Sequence, residues 1–501
     1  MEFNPYSTAK PWMKGYPQWM PDEDGLRVES YSLYEQMYWS VPETFQLTQL
    51  GTDEDPIYVP KPKVVVEAIL RYLCVNWGFE VDPEVGSEAE RKEAVEVFKK
   101  LFKRETMYAK FASQLRYCLI RGDAVWHLTA DPNKPAGKRI SIHELDPATY
   151  FPIHDEDDPE KLIGVHIVDQ FEEPDFSVRI RRQTYRKVMD EFGVFTGEIT
   201  SQCDLFEIAG WDDRNLDPNE IRHVRTITPM FTLPKEITQL PVYHWRNNPD
   251  PTNEFGSSQF RGVERLFAAI NQTISDEDLA VALAGLGVYA TDSNAPVDEN
   301  GNEVNWLIGP GRVVELTPGT DFKRVTGVSS VTPSQDHVKY LEAKVQEASG
   351  VPDVAVGLVD SAIAESGIAL ALKMAPLIAS NAEKELEIIG KTDQMLYDLQ
   401  TMWLPAYEGV NLDGVIVESR VDNPLPRNKA AEIQEVLSLA TSNPPLLTIQ
   451  EARARLSELG YDLTGTVEEI MAQMNAAASA ADPFGARLAD ESIAAEEETT
   501  A

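Results

Sequence analysis

Apolar positions along the chain change period several times, and each change marks an expected element. In residues 61–73, Val64, Val65, Ala68, Ile69, Tyr72 and Leu73 follow helical spacing. A helix is expected from Ser87 to about Arg121, with Val95, Phe98, Phe102, Phe111, Leu115 and Leu119 on one face and Ser87 and Glu90 as a capping box. After Gly122-Asp123 the period falls to that of strands, in Ala124–Leu128, Arg139–Ile142, Gly164–Val168 and Phe176–Ile180, and residues 122–245 read as a β-rich unit. Helical spacing returns after Phe255-Gly256-Ser257-Ser258, where Phe260, Val263, Phe267, Ile270 and Ile274 form one apolar stripe behind an expected serine cap.

Residues 288–331 read as a small β insertion, with a hairpin turn at Asn300-Gly301 and a strand from Arg312 to Leu316. A second helix is expected from Thr332 as its cap, with Pro333 at its first position, the stripe Val338, Leu341 and Val345, and Gly350 and Pro352 ending it. A loop leads to a long helix from about Ser366 to Trp403. Its internal Pro376 has no turn residues immediately before it, so it predicts a kink rather than a break. A capped helix pair, Arg427–Ala440 and Ile449–Leu459, follows, and 476–501, rich in Ala and Glu, reads as a disordered tail. Residues 1–60 hold many aromatics among prolines and read as an arm that packs on something, with one short helix near 30–39.

Composition narrows the class. The chain has 501 residues, enough for two to four structural units, and its 43% apolar and 25% charged content is that of a folded protein. The net charge of −37 argues against a broad basic surface that grips phosphates. Cys74, Cys118 and Cys203 are far apart, which suggests neither a disulfide framework nor a zinc cluster and makes a reducing compartment the default. The first residues do not read as a secretory signal, and the longest apolar run, Leu279–Ala290, is too short for the ~20 residues of a membrane span. A soluble protein made in a cytoplasm is the expectation.

The chemistry-bearing motifs are weak. Gly137-Lys138 lacks the upstream glycine of a phosphate loop, and His143-Glu144 is followed at 147 by proline, which removes the second ligand of a zinc-protease helix. His154-Asp155-Glu156-Asp157-Asp158 has oxygen ligands for a hard cation but reads better as a solvated acidic turn, and Asp298-Glu299-Asn300-Gly301-Asn302 as a hairpin tip. Arg179, Arg181, Arg182, Arg186 and Lys187 form a basic cluster that suits an acidic partner or a phosphate backbone or, more plainly, a solvated face near the acidic Glu172-Glu173-Pro174-Asp175 stretch. No reaction site, metal site or cofactor site is expected.

The order of parts is more telling. Two helices bracket a small β insertion, and the second leads through a loop into a long proline-containing helix. The local wording runs Gly122-Asp123-Ala124-Val125-Trp126, Leu145-Asp146-Pro147, Phe151-Pro152, Tyr243-His244-Trp245-Arg246-Asn247-Asn248 and Phe255-Gly256-Ser257-Ser258-Gln259-Phe260, on through Ala269-Ile270-Asn271. It continues with Glu347-Ala348-Ser349-Gly350-Val351-Pro352, Gly357 and Ser366-Gly367-Ile368-Ala369-Leu370. Over roughly residues 30–465 this resembles the portal proteins of tailed double-stranded DNA bacteriophages.

The resemblance implies an α+β portal fold. In it, 1–29 is an N-terminal arm, 30–256 the wing, 257–287 and 332–349 the stem helices, 288–331 the clip, and 350–365 the tunnel loop. Residues 366–426 are the kinked helix and the return to the wing, 427–465 the crown, and 466–501 the tail. It further implies a non-enzymatic ring, typically of twelve subunits, at one vertex of the virion capsid, through which DNA is packaged and ejected. The implied partners are further copies of the chain, the terminase large subunit as motor, a head-completion adaptor, the major capsid and scaffolding proteins, and DNA in the channel, with no membrane and no cofactor. Asp353, Val354, Gly357, Asp360, Ser361 and Glu365 would face the channel, and Asp298 to Asn302 the motor and adaptor. Phe260, Val263, Phe267, Ile270 and Ile274 would pack the stem, Arg261, Glu264 and Arg265 would reach a neighbouring subunit, and Pro376 would set the bend. Two other classes stay open: an acidic multidomain hydrolase whose carboxylate pair forms only in the fold, and a different virion structural protein with a similar β unit.

Overall fold

The computed structural model describes residues 22–47, 56–155, 157–158, 161–172, 178–208, 221–286, 288–296, 303–304, 316–325, 331–357, 367–424, 429–441 and 446–458. In chain order these form α1 (Asp22–Tyr38), α2 (Pro42–Phe45), α3 (Lys61–Leu70), β1 (Gly78–Val81), α4 (Glu88–Glu105) and α5 (Met107–Arg121). The strands β2 (Asp123–Ala130), β3 (Ile140–Leu145), β4 (Tyr150–His154), β5 (Leu162–Glu172), β6 (Val178–Met189), β7 (Phe195–Ile208), β8 (Ile221–Thr232) and β9 (Val242–Arg246) follow. Then come α6 (Glu264–Leu286), β10 (Val288–Thr291), β11 (Phe322–Val325), α7 (Thr332–Ser349), α8 (Gly367–Asp398), a π-helical turn Leu399–Glu408, β12 (Val417–Arg420), α9 (Lys429–Ala440) and α10 (Ile449–Glu458).

The chain divides into two units, Met1–Pro424 and Leu425–Ala501. In the second, α9 packs on α10, whose start is capped by Thr448 and Glu451: the Glu451 N–H donates to Thr448 Oγ1 at 3.2 Å and the Thr448 N–H to Glu451 Oε2 at 2.9 Å. In the first, the described residues form four antiparallel groupings, ordered β1-β12, β10-β11, β3-β2-β9 and β4-β5-β6-β7-β8. β2 is buried from Asp123 to Leu128, because α5 covers one side of its sheet and aromatic side chains fill the space between. The Trp77 ring stacks on Phe111 at 3.9 Å, Phe111 meets Trp245 on β9 at 5.1 Å, and Trp245 meets Trp126 on β2 at 5.6 Å. Offset and edge-on contacts of this kind add about 0.5–1.5 kcal/mol per pair beyond area burial.

Four expectations are corrected in detail. The helix expected from Ser87 to Arg121 keeps its Ser87–Glu90 capping box but breaks at Thr106, whose φ of 52° is left-handed. The break lets Glu105 turn toward the sheet, where it accepts the Ile142 N–H at 3.1 Å and pairs with Lys110 at 3.3 Å. The helix expected from 257 starts at Glu264, so Phe260 and Val263 lie in the turns before it. Ser258 is not its cap: the hydroxyl donates to the Ile120 carbonyl at 2.5 Å and accepts the Phe260 N–H at 3.1 Å in a turn that ends before the helix, and Gly262 then takes a left-handed φ of +91°. Thr332 is the first residue of α7, whose cap position is Val331 with no side-chain cap bond. The short helix near 30–39 is the end of α1, which begins at Asp22 and packs on α5. The Asn300-Gly301 turn, most of the Arg312–Leu316 strand and the 476–501 tail lie outside the described residues.

Candidate functional site: the α6–α7 pair and its junction with the sheet

α6 and α7 run antiparallel. At one end the Gln335 amide donates to Glu277 Oε1 at 2.9 Å, and at the other the Gln259 amide, just before α6, donates to the Ser349 carbonyl at 3.5 Å. Phe267, Ile270, Leu341 and Val345 are buried, whereas Ile274 is half-buried. β10 and β11 continue the pair as a hairpin in register Val288↔Val325 to Thr291↔Phe322. The segment before α3 is tied to α6, since the Val59 N–H donates to Asn271 Oδ1 and the Ile57 N–H to Ser275 Oγ, each at 2.9 Å. Within the subunit Glu264 accepts from the Tyr34 hydroxyl at 3.0 Å, and Arg261 donates to Ser257 Oγ at 3.0 Å.

α7 ends at Gly350, whose φ of 68° is left-handed, and passes into a 3-10 turn, Asp353–Val356. Val351 and Ala355 are buried, and Arg71 donates to the Ala355 carbonyl at 3.4 Å, so this first part of the expected tunnel loop is held against α3. Asp353 is exposed, Val354 half-buried, and Gly357 takes a φ of 85°. Asp360, Ser361 and Glu365 lie outside the described residues, as do Asp298, Glu299, Asn300, Gly301 and Asn302.

The approach to α6 is locked to the sheet by an arrangement that sequence reading missed. Gly122 caps α5 at φ +103°, and its carbonyl accepts the Asn247 N–H at 2.8 Å. Asn247 in turn accepts the Ser257 N–H at 2.8 Å and donates its side-chain amide to the Ser257 carbonyl at 2.7 Å. A Cβ at Gly256 would lie 2.7 Å from the Asn247 carbonyl oxygen and 2.8 Å from its nitrogen, so only glycine permits the approach. Asp123, fully buried, accepts from the Tyr31 hydroxyl at 2.5 Å, from His244 Nε2 at 2.7 Å and from the Gly256 N–H at 2.8 Å. These three donors satisfy a carboxylate that would otherwise be costly to bury.

Lys384, on α8 and 3% exposed, closes the arrangement. Its ammonium donates to Asn247 Oδ1 at 2.9 Å, Gln259 Oε1 at 3.2 Å and Asn248 Oδ1, and burial lowers its pKa to about 8. One side chain thereby joins the proline-containing helix, the end of β9 and the approach to α6. Beyond it, Tyr243 donates to Asp398 Oδ2 at 2.7 Å, and burial raises Asp398 to about 6. Pro376 lies within α8. A proline there forgoes one backbone bond and costs about 3 kcal/mol, so Pro376→Ala is expected to raise the urea midpoint of unfolding. An unchanged midpoint would show that the proline carries no local cost.

A cleft of about 730 Å³ lies between α1 and residues 252–261, lined by Arg27, Tyr31, Tyr34, Glu254, Phe255 and Arg261 among others. Glu254 Oε1 is 3.0 Å from His154 Nε2; burial raises the carboxyl to about 7 and lowers the imidazole, so both favour their neutral forms. Because the folded carboxyl lies above its ordinary 4.5, its contribution to stability is complete below that pH and is lost as pH rises through about 7. Glu254→Gln is therefore expected to flatten the decline in melting temperature between those two values, and an identical slope in wild type and variant would exclude the assignment.

Among the described residues no group of three His, Cys, Asp or Glu gathers as a metal site, and no described helix is long and apolar enough to cross a membrane. The acidic turn binds its own cation, Asp155 pairing with Lys161 at 2.8 Å. His143 sits on β3, where Thr129 Oγ1 meets its Nε2 at 2.9 Å.

No protein-family model matches the chain, and no curated protein matches it. Solved structures do. A chain from the neck of an empty gene transfer agent particle, computed with C6 symmetry, is 15% identical with a TM-score of 0.46, over 90% of this chain and 98% of that one. A chain from the neck of the native particle, computed with C12 symmetry, is 12% identical with a TM-score of 0.41, over 89% of this chain and 96% of that one. A chain from the virion of the native particle is 14% identical with a TM-score of 0.41, over 89% and 96%. Over about nine tenths of its length, then, this chain is similar to chains from the neck and virion of gene transfer agent particles.

Proposed function

We propose that the protein is a portal: a non-enzymatic ring at one vertex of a virion capsid, through which double-stranded DNA is packaged and later leaves. The observation that carries this reading is the order α6, hairpin, α7, 3-10 turn, α8, with α6 and α7 antiparallel and Pro376 inside a helix of 32 residues. An antiparallel pair tipped by a hairpin is an extended device. Side by side in a closed ring, such pairs would form a tube wall, each helix needing two non-equivalent faces. The buried stripe from Phe267 to Ile270 serves the subunit's own α7, while Val281 and Tyr340, 50% and 57% exposed, remain for neighbours.

A channel must hold DNA without gripping it, and affinity for the backbone scales with the phosphates neutralised by Lys or Arg. Residues 351–365 contain Asp353, Asp360 and Glu365 and no Lys or Arg, so the loop repels the backbone and acts as a low-friction collar. Residues Asp298 to Asn302 meet the motor and then the adaptor, and α9 and α10 form the crown. Electron microscopy of the purified chain tests the reading. A closed ring with a central hole, of twelve or a neighbouring number of subunits, is expected, and a monodisperse monomer at high concentration would overturn it.

A further inference from the structure

We propose that the basic face of the β5–β8 sheet docks on the acidic β1–β12 ribbon of a second copy of this chain. The inference rests on the ring reading, in which every subunit must carry two different surfaces that fit each other. β8 ends its sheet and is exposed on both faces from Arg222 to Thr232, with only Thr228 half-buried. Val224, Met230 and Phe231 are 39%, 67% and 45% exposed on it. A bare twelve-residue edge strand is a liability unless guarded or covered. Pro229 and three register shifts against β7 guard it against addition of another strand, so the cover it awaits makes contact through side chains.

The chemistry of that cover follows from the register. Asp169 lies opposite Arg181, Arg181 opposite Leu205 and Leu205 opposite Arg225; beside that row, Arg179 lies opposite Glu207 and Glu207 opposite Arg222. Directly opposed residues share a face, so one face carries Arg179, Arg181, Arg222 and Arg225 against Asp169 and Glu207. Glu207 is shared by Arg179 at 3.1 Å and Arg222 at 3.0 Å. Arg225 has no carboxylate within ion-pair distance among the described residues. In a chain of net charge −37, this face has cations to spare.

The opposite excess lies on the ribbon. Glu80 on β1 sits directly opposite Glu418 on β12, both exposed, an arrangement that like-charge repulsion disfavours. The pair cannot turn inward, because the other face is buried: Val417 is 3% exposed and the Phe79 ring lies 4.8 Å from Phe102. Asp82, Asp413 and Asp422 flank it, and Ile416 beside it is 39% exposed. Arginines with apolar neighbours on one surface thus match paired glutamates with an apolar neighbour on the other. The contact is heterologous, the kind that closes a ring.

Sedimentation of the full chain, with salt raised from about 0.1 M to about 1 M so that the Debye length falls from about 10 Å to about 3 Å, reads the contact. Arg222→Glu with Arg225→Glu, and separately Glu80→Arg with Glu418→Arg, are each expected to weaken assembly at the lower salt about tenfold or more, a change of about 1.4 kcal/mol. All four substitutions in one chain are expected to restore it, which a merely unfolded variant would not do; all four positions are exposed, so melting curves should match wild type. Wild-type rings that both reversed pairs leave intact, or a four-fold variant no better than either pair, would overturn the interface while the ring reading stands. A wild type monomeric at every salt would overturn both.

Discussion

Gly256→Ala is expected to destabilise the Met1–Pro424 unit by about 3 kcal/mol, at the upper end of overpacking costs, and to abolish ring formation. The new methyl would lie 2.7 Å from the Asn247 carbonyl oxygen and 2.8 Å from its nitrogen, and these are backbone atoms that cannot rotate away. Moving them would break the Asn247 N–H bond to the Gly122 carbonyl, the Ser257 N–H bond to Asn247 and the hold of Lys384 on Asn247 and Asn248. Gly390→Ala is the matched control. Its methyl meets nothing within 4 Å on α8, and replacing a helical glycine is expected to add up to about 1 kcal/mol. Urea unfolding of the two variants beside wild type decides the matter, and equal midpoints for Gly256→Ala and wild type would remove the close approach as a requirement.

The second large effect is expected at the buried ion pair between α1 and α5. Arg121 Nη2 lies 2.9 Å from Glu35 Oε2, with side chains 4% and 1% exposed, and Nη1 lies 2.9 Å from Asp146 Oδ1. Burial lowers the guanidinium pKa, but the two carboxylates outweigh it and the net direction is upward, so the cation is retained. Glu35→Ala leaves that cation in a buried site with half its compensation, at a cost of about 3 to 5 kcal/mol. Replacing both partners, Glu35→Ala with Arg121→Met, should cost less than the two single changes added together. Additivity in the thermal midpoints of the four proteins would show that the pair is not coupled.

These two sites mark where sequence reading ended. The stripe of Phe260, Val263, Phe267 and Ile270 was legible because an apolar face must be buried whatever covers it, and all four side chains are buried. The Ser87–Glu90 cap was legible because its partners are three residues apart. The start of α6 was misread because the place of Ser258 is decided at long range: its hydroxyl donates to the Ile120 carbonyl, 138 positions away, and accepts the Phe260 N–H in a turn that ends before the helix. The same holds for Thr106, whose break depends on where Glu105 finds Ile142.

Gly122-Asp123 and Phe255-Gly256-Ser257-Ser258 were noticed as separate phrases, yet nothing in either says that Asp123 accepts the Gly256 N–H or that the two glycines touch. Lys384 carried no signal at all, since a lone lysine in a helical pattern reads as a solvated side chain. Its burial among three amide oxygens from two other segments is a property of their meeting. The Arg179–Lys187 cluster was read as a solvated face near Glu172-Glu173-Pro174-Asp175; the structure pairs Arg179 with Glu207, Arg181 with Asp169 and Arg182 with Asp204, partners on neighbouring strands, and adds Arg222 and Arg225 from β8, which the linear cluster did not include.

What the sequence by itself determined is therefore the local and the periodic: helix stripes, strand alternation, glycine ends, the order of parts, and an acidity that excludes a phosphate-gripping surface. These depend on neighbours within a few positions, and elementary sterics and burial read them directly. Only the tertiary structure decided which long-range partners meet: Gly122 with Gly256, Lys384 with Asn247 and Gln259, Glu80 opposite Glu418, four arginines on one face of a sheet. The physical reason is that a buried polar or charged group must be satisfied by whatever the fold brings within about 3 Å, and that proximity is a property of the whole chain's packing.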